Sequence, residues 1–150
     1  MALQYSKEMY SDYMLKAVAN IGTAIRALED YNKNKIKNMK GLSAYHVQQA
    51  VELILKYLIY TNNFYNGNEL YTHDISKLIM ITEGLNIGIP KYIKDNARVF
   101  TSWEAKGRYD LRPAIRADKV ANSIKNVMKW IVKINPRYKV KLKKFTKPIQ

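Results

Sequence analysis

Three clusters of polar residues are the places where this chain could do chemistry. The first lies in SAYHVQQAVELILKYL, Ser43 to Leu58, where His46, Gln49, Glu52 and Lys56 sit among apolar residues. An imidazole can move a proton, and a glutamine can read a polar edge. A carboxylate and an ammonium four residues apart can pair on a helix surface for ~0.3–0.5 kcal/mol. The second is THDISKLI, where His73 stands between Thr72 and Asp74. The third is WEAKGRYD, which brings Trp103, Lys106, Arg108 and Tyr109 together beside two acids. A guanidinium fork grips phosphate, and an aromatic face can stack a base.

Each cluster also has a plain structural reading. At 100° per residue, Gln49, Glu52 and Lys56 point away from the apolar stripe, as a solvated face or a dimer surface would. Thr72 can cap a helix, and Asp74 suits the positive end of its dipole. Lys106 and Arg108 suit a helix C-terminus. No zinc-type histidine–carboxylate helical pair is present, and the only histidines are His46 and His73, so no metal site and no cofactor are expected. The six glycines form no phosphate-cradling loop, and no nucleophile elbow occurs.

The elements that must position these residues read as helices. An apolar stripe of Met14, Ala17, Val18, Ile21, Ala24, Ile25 and Leu28 predicts a long helix over 5–38, with Gly22 allowing a close crossing. Gly41 is expected to stop it, and Ser43 to cap a second helix carrying Val47, Ala50, Val51, Ile54 and Leu58. A short third helix follows Thr72 with Ile75, Leu78, Ile79 and Ile81. A fourth opens after Pro90 and runs toward Trp103, and AKGRYDLRP is the next break. Pro113 suits the first turn of a fifth helix, whose stripe is Val120, Ile124, Val127, Met128 and Ile131. After Pro136, Tyr138, Val140 and Leu142 alternate with lysines at strand period, and a lone strand has no partner here. The expected fold is all-α, an antiparallel four- to five-helix up-and-down bundle over 5–135 with a basic C-terminal tail over 136–150.

Charge narrows the partners. A net charge of +14 predicts attraction to polyanions, and the tail concentrates it: Arg137, Lys139, Lys141, Lys143, Lys144 and Lys147 stand there without an acid. The tail is expected to be mobile or to dock on a partner, and to bind polyanions. Twelve tyrosines beside such cations suit single-stranded nucleic acid, and equally a protein interface. No cysteine is present to form a disulfide, and no signal-peptide pattern or membrane span is visible. The expected location is cytoplasmic, away from any membrane.

In order, YHVQQAVELILKYLIY, THDISKLI and AKGRYD resemble the HEPN domain family (higher eukaryotes and prokaryotes nucleotide-binding). The matching residues are His46, Gln48, Gln49, Ala50, Glu52 and Lys56, then Thr72, His73 and Asp74, then Arg108, Tyr109 and Asp110. The resemblance covers roughly 5–135. It implies a four- or five-helix bundle, commonly a homodimer, found in toxin–antitoxin pairs with a nucleotidyltransferase and in defence ribonucleases. Two departures stand out. Asp110 replaces the proline of the family's R-Y-P corner, and no arginine is followed by histidine in the R-x(4–6)-H pattern of ribonuclease-active members.

The expectation that follows is a non-catalytic HEPN-like binding module for a nucleotide, RNA or a nucleotidyltransferase partner. His46, Gln49, Lys56, His73, Trp103, Lys106, Arg108 and Tyr109 are its candidate ligand contacts. One alternative is a toxin ribonuclease with a rearranged site, His73 as acid–base and Arg108 as transition-state cation. A second is a structural dimerisation scaffold.

Overall fold

The computed structural model describes residues 7–63, 72–109 and 114–146, with side chains described over 12–62, 72–106 and 114–146. Among the described residues seven α-helices run in order: α1 (Lys7–Asn34), α2 (Lys37–Asn63), α3 (Ile75–Gly84), α4 (Lys91–Asp95), α5 (Ala97–Tyr109), α6 (Ala117–Ile134) and α7 (Lys139–Thr146). A 3-10 turn at Pro136–Tyr138 links the last two. The chain is all-α, and no strand occurs among the described residues.

Helix α2 is the hub. It packs most extensively on α1, and it also contacts α5, α6 and α3. Its Val47, Ala50, Val51, Ile54, Leu55 and Ile59 are fully buried, a wider apolar surface than the single expected stripe. A helix covered on several sides has little wet face left, which governs the fate of its polar residues. The other expected stripes point inward. Met14, Ala17, Ile21 and Ala24 of α1, Ile93 of α4, Phe100 and Trp103 of α5, and Val120, Val127 and Ile131 of α6 are all buried.

Several boundaries differ from expectation. The reversal between the first two helices falls at Lys35, whose φ of 53° is left-handed, and its amide closes α1 on the carbonyl of Tyr31 at 3.0 Å. Helix α2 therefore begins at Lys37 and continues through Gly41, which stops nothing. Ser43 is not an N-cap. Its buried hydroxyl donates to the Ala24 carbonyl at 2.6 Å and ties α2 to α1. At α3 the cap is Asp74, accepting from the Lys77 amide, while Thr72 accepts from the amide of Asp74. The expected fourth helix is two, α4 and α5, broken at Asn96. Helix α5 runs on through Gly107 to Tyr109, past the expected break. Helix α6 starts at Ala117 rather than at Pro113, which lies outside the described residues.

The basic C-terminal stretch is helical over 139–146, not a strand. Leu142 is buried and Phe145 packs on the core, three residues apart on one face of α7. Phe145 lies against Gly22, where a methyl group would come within 2.5 Å of the ring. The close crossing expected at Gly22 is thus made by α7. The Arg26 guanidinium lies 5.7 Å from the centre of the same ring. No helix among the described residues is long and apolar enough to cross a membrane.

Candidate functional site

The polar set of α2 is a buried network, not a solvated face. Glu52 is 5% exposed and Gln48 is fully buried. The Glu52 Oε1 accepts from Gln48 Nε2 at 3.0 Å and lies 2.7 Å from His73 Nδ1. Its Oε2 accepts from Lys56 Nζ at 3.1 Å. Gln49 Nε2 in turn donates to Gln48 Oε1 at 2.8 Å. The lead-in to α3 brings His73 here, because the Ile75 amide donates to Thr101 Oγ1 of α5 at 3.0 Å. A carboxylate with these donors is a structural clamp, since both of its oxygens are engaged.

The two histidines serve different neighbours. His73 holds Glu52 through Nδ1 on a side chain that is 62% exposed. His46 Nδ1 lies 2.7 Å from Asn20 Oδ1 on α1. The Asn20 amide nitrogen already donates to the Lys16 carbonyl, so the Asn20 oxygen accepts and His46 Nδ1 carries the proton. Burial holds the His46 pKa below the ordinary histidine range. The Tyr45 ring meets the His46 imidazole edge-on, 5.2 Å between centres. Among the described residues no three metal-ligating side chains gather at one point.

The second assembly is a groove of about 440 Å³ between α5 and α6. Trp103, Ser102 and Lys106 line it from α5, and Lys119 and Asn122 from α6, with Arg116 at the α6 start. Trp103 is 3% exposed and meets Phe100 edge-on at 5.5 Å. It is a core residue at the groove floor and offers no open ring face for stacking, contrary to the expected role. Arg116 grips Asp118 through two nitrogens, at 3.1 and 2.8 Å, which lowers the Asp118 pKa. Lys119 lies 5.2 Å from the Tyr92 ring centre. Lys106 is exposed. The side chains of Arg108 and Tyr109, and all of Asp110, lie outside the described residues. Arg116, Lys119 and Asn122 escaped sequence reasoning because they belong to the next helix. The one signal pointing to them was their position just after the R-Y-D corner.

The third assembly is the cationic C-terminal part. Lys125, Lys129 and Lys133 follow each other at four-residue spacing along α6, and Lys139 and Lys143 do so along α7. All five are exposed, as are Arg137, Lys141 and Lys144, and none has an ion-pair partner among the described residues. Lys147 lies outside the described residues.

No curated protein and no solved structure matches the chain. The HEPN domain family model matches residues 17–135, which takes in the α2 network, the His73 lead-in and the α5–α6 groove. With most of its length and all three ordered motifs inside that match, the chain belongs to the HEPN domain family.

Proposed function

We propose that the chain is a HEPN-type binding module without ribonuclease chemistry of its own, and that its ligand is a nucleotide or RNA. The observation that carries this reading is the α5–α6 groove. It combines ammonium groups (Lys106 and Lys119), an amide (Asn122) and a hydroxyl (Ser102) over a mixed polar and apolar surface. Ammonium groups meet phosphate oxygens, and an amide meets the edge of a base or a ribose hydroxyl. The +14 net charge adds long-range attraction. The absence of chemistry is supported by the occupied α2 network and by the missing R-x(4–6)-H pattern. A homodimer, a nucleotidyltransferase partner and a role in a toxin–antitoxin or defence system belong to the same reading.

The test is fluorescence anisotropy with labelled single-stranded RNA and a labelled adenine nucleotide. Affinity should fall steeply with added salt, and Lys106→Glu with Lys119→Glu should abolish most of it. No binding of either probe at low salt would reject the ligand assignment.

One observation favours a second reading, a ribonuclease with His73 as acid–base and Arg108 as cation. A carboxylate 2.7 Å from Nδ1 orients an exposed imidazole, as general acid–base catalysis requires. Expression alone decides between them. Slowed growth and degraded RNA, both relieved by His73→Ala, would favour the enzyme. Normal growth with intact RNA would reject it.

A further inference from the structure

Lys129 of α6 faces Lys139 and Lys143 of α7 across an apolar groove between the two helices. The groove holds about 340 Å³. Met128 and Val132 of α6 and Leu142 of α7 make its floor, and Lys129, Lys139 and Lys143 stand at its rims. A smaller depression of about 220 Å³, with Ile25, Leu28 and Ile124 in its lining and Glu29 of α1 on its far side from α6, meets it at Met128 and Thr146. Lys129 borders the groove and Lys125, one turn earlier on α6, borders the depression, so the cationic row continues past the groove's end. From Lys125 to Lys133 the row spans about 12 Å, roughly two helical turns.

We infer that this groove docks an acidic amphipathic helix of a protein partner. The inference is separate from the nucleotide reading of the α5–α6 groove and does not rest on it. An apolar floor between two cationic rims complements a helix with an apolar stripe flanked by Asp and Glu. Charge selects this occupant over the others. From Lys119 to the C-terminus every charged residue is basic, so a second copy of this face would meet like charge. No lining residue is aromatic, so single-stranded nucleic acid has no surface on which to stack. The apolar floor is shared by two helices and bounded by lysines of both, whereas a membrane-binding helix presents one continuous apolar face of its own. The Lys129, Lys139 and Lys143 stems flank the apolar floor while their ammonium groups reach the partner's carboxylates.

The probe is a fluorescein-labelled peptide of about four helical turns, with leucine at i, i+3, i+4 and i+7 and glutamate on both flanks. Its anisotropy is read with the full-length protein. Saturable binding is expected, weaker by about ten- to a hundredfold in the Lys129→Glu, Lys139→Glu, Lys143→Glu variant. Those three side chains are exposed, so circular dichroism should be unchanged. Met128→Gln, which keeps side-chain length, should weaken binding by about tenfold through the floor. Lys106→Glu with Lys119→Glu should leave peptide binding intact, which separates this site from the nucleotide groove. Failure of the peptide to bind would overturn the inference. So would equal binding of a scrambled peptide of the same composition, or equal binding by the charge-reversed protein. Oligouridylate or phosphatidylserine vesicles losing affinity in the charge-reversed protein, with peptide affinity unchanged, would reassign the groove to nucleic acid or lipid.

Discussion

Replacing Glu52 with alanine should be among the most damaging single changes in this protein. The carboxylate is 5% exposed and lies within hydrogen-bonding distance of Gln48, Lys56 and His73. Without it, the fully buried Gln48 amide loses its acceptor, which costs about 1–3 kcal/mol. Lys56, with a side chain only 15% exposed, loses a charge-assisted bond that contributes roughly 1.5–3 kcal/mol. His73 adds little, because its 62% exposed ring can turn to water. The sum is about 2.5–6 kcal/mol, which brackets the ~3–5 kcal/mol for breaking a buried ion pair, against a total stability of about 5–15 kcal/mol. With a urea m-value near ~2 kcal/mol/M, the unfolding midpoint should fall by about 2 M. Far-UV circular dichroism during urea titration measures this. Lys91→Ala breaks an ion pair of the same spacing between exposed partners and should leave the midpoint essentially unmoved. A loss below about 1 kcal/mol for Glu52→Ala would refute the reasoning, because it would mean that water reaches the freed donors.

Other consequences are equally direct. Gly22→Ala gains about 1 kcal/mol of helix propensity but drives a methyl group into the Phe145 ring, so alone it should not stabilise the protein. In a Phe145→Ala background the same change should stabilise by about 1 kcal/mol, and a double-mutant cycle reads the difference. Leu142→Asp should release α7 from the bundle, seen as faster proteolysis after Pro136 with the α1–α6 helicity retained. His46 has a folded-state pKa below its unfolded value, so the unfolded chain takes up the proton first as pH falls. Its contribution is therefore complete above about pH 6.5 and is lost as pH drops toward the native pKa. Urea titrations near pH ~7.5 and ~5.5 should show that loss, and His46→Gln should reduce it.

The apolar stripes of α1, α3, α5 and α6 were legible because burial on one side leaves a 3.6-residue period in the sequence. The three ordered motifs were legible as a family mark, and Gly22 as the site of a close crossing. The role of Glu52 was not. A helical wheel assumes one buried side, and α2 touches α1, α3, α5 and α6. The side that the wheel assigns to water is covered, so its polar residues had to find each other. Ser43 misled for a related reason, since a hydroxyl that suits a cap can instead bond a carbonyl on the neighbouring helix. In the C-terminal stretch two periods compete. Tyr138, Val140 and Leu142 alternate, but Leu142 and Phe145 anchor the segment and their spacing is helical.

The order of amphipathic segments, written into local spacing, determined that this chain is an all-α bundle. Which polar residues are buried, and which cations border a groove, depends on contacts between helices distant in sequence. Only the tertiary structure could decide that. His73 reaches Glu52 from 21 residues away, and Lys129 comes to face Lys139 and Lys143 only because Leu142 and Phe145 hold α7 against the bundle.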